Sequence, residues 1–147
     1  ITATGSGTGG AGTYTVSTSQ TVASTLMSAA TTDKIVSTFE AWGSAAFVAL
    51  TDAATITPDF SQGYNFSVTM NASRILGNPN NPKVGQSGLI VTTVGSAGAL
   101  FSSYGSAYKF QNATQPVFNT TLGAVNILSY YVITPSFILV NGLVGVA

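Results

Sequence analysis

Tyrosine apart, the ionisable chemistry of this chain rests on eight side chains: Asp33, Glu40, Asp52 and Asp59 against Lys34, Arg74, Lys83 and Lys109, with no histidine and no cysteine in 147 residues. Without histidine a Ser-His-Asp relay is excluded. Without histidine and cysteine the usual zinc donors are missing. No motif sets a serine beside Lys34, Lys83 or Lys109, so lysine-activated serine chemistry has no pattern to stand on. Asp52, Asp59 and the neighbouring asparagines are too dispersed for a calcium loop of the EF-hand kind. Paired carboxylates for glycoside cleavage require two acids that approach in the fold, and only Glu40, Asp52 and Asp59 would serve. Three acids in one part of a small chain are a poor set for cutting a long glycan. Asp59 follows Pro58, where its side chain is expected to accept a backbone amide in a turn. Gly5-x-Gly7-x-x-Gly10 matches a dinucleotide fingerprint as a string, but a β-type segment follows it where a helix is needed. No cofactor and no catalytic residue is expected, and the chain reads as a binding or structural protein with no enzymatic role.

Binding chemistry is better represented. Aromatic faces stack on the apolar faces of sugars, while asparagine and serine supply adaptable hydrogen bonds, as in binding loops. Tyr64, Phe101 and Tyr104 are the candidate glycan contacts, with Tyr108 and Trp42 beside them. Three loops are expected to carry recognition: Gln62 to Tyr64, Gly77 to Gly88, and Gly95 to Tyr104. Lys109 alternates with Tyr108 and Phe110, so it should face away from them and guard a sheet edge. Arg74 reads as a solvated strand end. The sequons at Asn65, Asn71, Asn112 and Asn119 read as products of a Thr-, Ser- and Asn-rich composition.

These side chains must be positioned by strands. Phe66, Val68 and Met70 alternate with Ser67 and Thr69, the period-two pattern of a half-buried strand. Gly77-Asn78-Pro79-Asn80-Asn81-Pro82 cannot lie inside a helix or a central strand. Strands are expected at 46–50, 53–58, 64–70, 73–76, 87–94, 107–110, 115–118, 124–133 and 136–141, with a last one over 143–147. A turn near Thr134-Pro135-Ser136 makes the apolar C-terminal run a buried hairpin rather than a membrane span. Many short strands favour an all-β, antiparallel sandwich of jelly-roll type. Residues 1–33 form a Gly-, Thr- and Ser-rich module or linker containing a short strand at 13–17, and 34–147 form the sandwich domain. A helix from Asp33 to Gly43 would place Ile35, Phe39 and Trp42 on one face.

Charged residues make up 5% of the chain against roughly 25% in an ordinary soluble domain, and the net charge is zero. Four scattered bases make no phosphate-binding stripe, which argues against a nucleic-acid partner. Such a charge-poor surface tends to self-associate. The expected interface lies on the strand carrying Leu128, Tyr130 and Val132, or on its opposite face, in a homotrimer.

Two stretches carry a resemblance. Ile1 to Gly5, Gly12 to Ser17 and Ser19 to Ser24 resemble the second half of a β module repeated in tailed-bacteriophage fibre proteins. Ala54 to Phe60, Asn65-Phe66-Ser67-Val68, Asn78-Pro79, Gly85-Gln86-Ser87-Gly88, Tyr108-Lys109-Phe110 and Leu128 to Val132 resemble a C-terminal domain of phage tail fibres and other virion surface proteins. The resemblance implies virion location, β structure, trimerisation, contact with other virion proteins and with host-surface polysaccharide, and no catalytic residues. The alternatives are a head-decorating or fibre-stabilising protein without a ligand, and a polysaccharide-degrading enzyme. The start without Met, and a first module lacking its leading half, fit a fragment of a longer fibre.

Overall fold

The computed structural model describes residues 43–143. The expected 1–33 module with its strand at 13–17, the helix from Asp33, Glu40, Trp42 and a strand continuing to 147 lie outside them. Among the described residues nine strands run in chain order: β1 (Phe47–Ala49), β2 (Thr55–Ile56), β3 (Asn65–Met70), β4 (Arg74–Leu76), β5 (Ser87–Val94), β6 (Phe101–Tyr104), β7 (Tyr108–Phe110), β8 (Val125–Thr134) and β9 (Phe137–Leu143). A single 3-10 turn, Gln111–Ala113, follows β7. The described chain is all-β, and among the described residues no helix is long and apolar enough to cross a membrane.

The antiparallel expectation is corrected. Strands β1, β3 and β5 lie side by side in parallel, and so do β2, β4 and β6. The chain steps alternately between two sheets, laying one strand in each per turn, which is the path of a short β-solenoid. Parallel neighbours cannot be joined by a tight turn, and here the second sheet supplies the return. Phe47 pairs with Asn65 and Phe66 with Ile90 in the larger sheet; Thr55 pairs with Ile75 and Leu76 with Tyr104 in the smaller. The hairpin β8–β9 then inserts between β5 and β7, giving the six-stranded order β1-β3-β5-β8-β9-β7. It is antiparallel to β5 and within itself, so antiparallel pairing is confined to β5-β8-β9. Alternation marks a strand with one buried face, but it does not say which strand lies alongside or in which direction.

Both sheets contribute to one core. Val48, Phe66, Ile90 and Leu128 are successive partners across the larger sheet, and Ile56, Leu76 and Tyr104 across the smaller. Phe66 and Leu128 are fully buried, each contributing about 1.5–3 kcal/mol by leaving water. One polar rung interrupts the core, where Thr92 faces Asn126. The Asn126 side chain accepts from Asn119 N–H (2.9 Å) and donates to Asn119 C=O (3.0 Å), satisfying itself while fixing the segment before β8. The strand expected at 115–118 does not form, because Pro116 cannot donate to a ladder and Val117 points outward. β6 forms inside the stretch expected to be a recognition loop.

Candidate functional site

Two of the three expected loops converge. Residues Ser61 to Tyr64, before β3, and Lys83 to Gln86, before β5, form the walls of a cleft of about 460 Å³, with Ser44 at its margin. Parallel strands bring this about, since the loops preceding β3 and β5 emerge at the same end of neighbouring strands.

A single amide holds both walls. Gln86 is buried; its Nε2 donates to the carbonyls of Phe60 (2.9 Å) and Gly63 (3.0 Å), and its Oε1 accepts from Lys83 N–H (3.3 Å). Tyr130, stacked on Phe60 with ring centroids 4.5 Å apart, donates its hydroxyl to the Tyr64 carbonyl at 2.7 Å. Burial raises the Tyr130 pKa, so the phenol keeps that proton well beyond the ordinary tyrosine range. Position 88 must be glycine, because a Cβ there would lie 1.7 Å from the Tyr64 carbonyl oxygen. Asn65 ties the far side, donating to Ala45 C=O (2.8 Å) and accepting from Leu89 N–H (3.1 Å). The backbone of the cleft is thereby fixed, while the Tyr64 side chain remains 47% exposed.

The other aromatic candidates sit elsewhere. Phe101 is 3% exposed and packs against Tyr104 and Phe118 (ring centroids 6.0 Å apart in each pair), so it is a core residue and offers no face to a glycan. Tyr104 is half-buried, edge-on to Phe110 at 4.7 Å and to Tyr108 at 6.4 Å, and its hydroxyl is buried without a protein partner. Burial raises the pKa of both Tyr104 and Tyr108. The Gly95–Tyr104 stretch is therefore a packing element. Leu128, Tyr130 and Val132 face the core of their own chain. Their neighbours Tyr131 and Ile133 point outward, Tyr131 directly beside Leu139 of β9.

The carboxylates serve the fold. Asp52 accepts from Arg74 through Nε (2.6 Å) and Nη2 (3.0 Å), and from Asn71 through N–H (3.1 Å) and Nδ2 (3.3 Å). The Arg74 hydrogen bond is the main cause that lowers its pKa from 3.8 to about 2. Arg74 is thus a clamp between the β1–β2 connection and β4, correcting its reading as a solvated strand end. Asp59 makes the expected turn, accepting from Ser61 N–H (3.0 Å) and Oγ (2.7 Å) and from Asn81 Nδ2 (3.0 Å), and these bonds hold its pKa low. A glycosidase acid needs a raised pKa; both carboxyls are held the opposite way. Among the described residues no three His, Cys, Asp or Glu side chains cluster as metal ligands. Lys109 stands exposed on the edge strand β7, its Nζ donating to Ser106 C=O (2.7 Å).

Sequence reasoning placed Gln86 and Lys83 in an expected recognition loop, Gly77 to Gly88, but gave neither an individual role in the site. A lone glutamine between Gly85 and Gly88 was the available signal, a long amide among small residues at the mouth of a strand. Comparison with family models, curated proteins and solved structures finds no match for this chain.

Proposed function

We propose that this chain is a virion structural protein of a bacteriophage, a tail fibre or spike-type domain that binds host-surface glycan in the cleft beside Tyr64 and performs no chemistry on it. The observation that carries the reading is an exposed tyrosine on a loop fixed by Gln86, Tyr130 and Gly88. Preorganised loops with an aromatic anchor bind without losing much freedom. The cleft lies within the roughly 300–1,000 Å³ of small-ligand sites and suits a short stretch of sugar. The resemblance to phage surface domains supports the location on the particle. Tyr64→Ala should lower adsorption to host cells by about tenfold, three copies in a trimer magnifying the lost stacking energy, with the melting temperature nearly unchanged. Unaltered adsorption would refute the glycan reading.

A second reading, a decorating or fibre-stabilising homotrimer without ligand, is favoured by the outward face of β5, β8 and β9. None of the three strands puts a charged side chain on it, Lys109 of β7 bordering it beside Leu139, and Tyr131, Ile133, Phe137, Leu139 and Leu143 are exposed there. Such a face packs against copies of itself without burying charge. The two roles are compatible, since the cleft is formed by loops and this face by strands.

A further inference from the structure

We infer that the Tyr64 cleft takes an acidic sugar, a glycan residue bearing a carboxylate, with Lys83 meeting the anion and Tyr64 the ring; this rests on the glycan-binding reading above. Five charged side chains occur among the described residues. Asp52 and Arg74 neutralise each other. Asp59 turns its carboxylate into Ser61 and Asn81, and the Lys109 ammonium is held on Ser106 C=O. Lys83 alone among them has no hydrogen-bond or ion-pair partner for its charged group, and it lines the cleft.

Its placement is built. The Gln86 side chain that fixes the Tyr64 loop through Gly63 also accepts the Lys83 backbone N–H, so one buried amide holds the backbone of both loops that carry the cation and the aromatic into the cleft lining. The turn from Lys83 to Gln86 passes through Gly85 at φ +84°, a conformation that L side chains rarely adopt, and Gly85 N–H is anchored to Val132 C=O (2.9 Å). Among the described residues no acid lines the cleft to neutralise the ammonium internally. In a chain so sparing of charge, an unpaired cation at a cleft with an aromatic wall selects an anionic ligand over its neutral counterpart. Ser61 and Gln62 on the Tyr64 wall are the sugar-hydroxyl partners.

Isothermal titration of the purified chain with an oligoglucuronate and with the matching neutral oligoglucose tests this. The wild type should bind the acidic oligosaccharide at least tenfold more tightly at low salt, and the preference should shrink as salt is raised. Lys83→Gln should bring the acidic affinity down to the neutral one, Lys83→Arg should keep most of the preference, and Tyr64→Ala should weaken both ligands. Circular dichroism melts confirm that each variant is folded. Equal wild-type affinities for the two ligands, or a preference that survives Lys83→Gln, would overturn the acidic-sugar inference while leaving a glycan site standing. Failure of both ligands to bind, together with Tyr64→Ala adsorption at wild-type level, would overturn the site itself.

Discussion

At the scale of single residues, the fold relies on a few hydrogen bonds whose loss is separable. Asp52 has a folded pKa of about 2 against an ordinary 3.8. A lowered acid stabilises the folded state above its unfolded pKa, and that contribution disappears as pH falls through the folded value. Asp52→Asn should therefore cost about 1 kcal/mol at neutral pH, and the gap between variant and wild type should close between about pH 5 and pH 2 in urea titrations. Tyrosine hydroxyls provide a second contrast. Tyr130→Phe removes the 2.7 Å bond to Tyr64 C=O and should cost about 1–2 kcal/mol. Tyr108→Phe removes a buried hydroxyl with no protein partner and should be neutral or stabilising in the same denaturation assay. Equal losses in the two variants would show that the hydroxyl near Tyr64 has no special standing. Asp59 in its turn and the outward Lys109 were legible from the sequence, because both roles follow from immediate neighbours. Gln86 was not, because the two carbonyls it holds, of Phe60 and Gly63, lie more than twenty residues away.

At the scale of elements, strand positions were legible wherever apolar and polar residues alternated. The expected 87–94 matches β5 outright, and the turn at Thr134 to Ser136 closes β8 onto β9. Pairing was not legible, because a half-buried strand shows the same alternation beside a parallel or an antiparallel neighbour. β6 escaped notice because Phe-Ser-Ser-Tyr, set between glycines, gives too short an alternation to distinguish it from a loop. The same mistake made Phe101 and Tyr104 look like recognition residues. The closest element contact is also the most testable. Gly88→Ala on β5 drives a methyl group into the backbone carbonyl of Tyr64, just before β3, so backbone must shift to admit it. It should cost about 3 kcal/mol in denaturant midpoint analysis and displace the cleft loop, so that glycan binding falls along with stability.

At the scale of the whole molecule, the proposed trimer is tested on the outward face of β5, β8 and β9. Replacing Leu139, which lies beside Tyr131 on that face, by Asp introduces a charge where copies would meet. Light scattering should then report a monomer mass for Leu139→Asp and a trimer mass for the wild type at micromolar concentration, with the melting transition still cooperative. A wild-type monomer would leave the face without a function in assembly.

The winding of the chain has a consequence for descent. Successive turns are unequal: 18 positions separate Phe47 from Asn65 and 24 separate Phe66 from Ile90, while the other sheet steps by 20 from Thr55 to Ile75 and by 28 from Leu76 to Tyr104. The rungs stay aligned because each corner absorbs its own surplus. Insertions and deletions are thus best tolerated at corner positions away from the buried anchors Phe60 and Gln86. Since Tyr64 and Lys83 both stand in corners, a lineage built on this scaffold can reshape the cleft between them by changing corner length, without any substitution inside the strands.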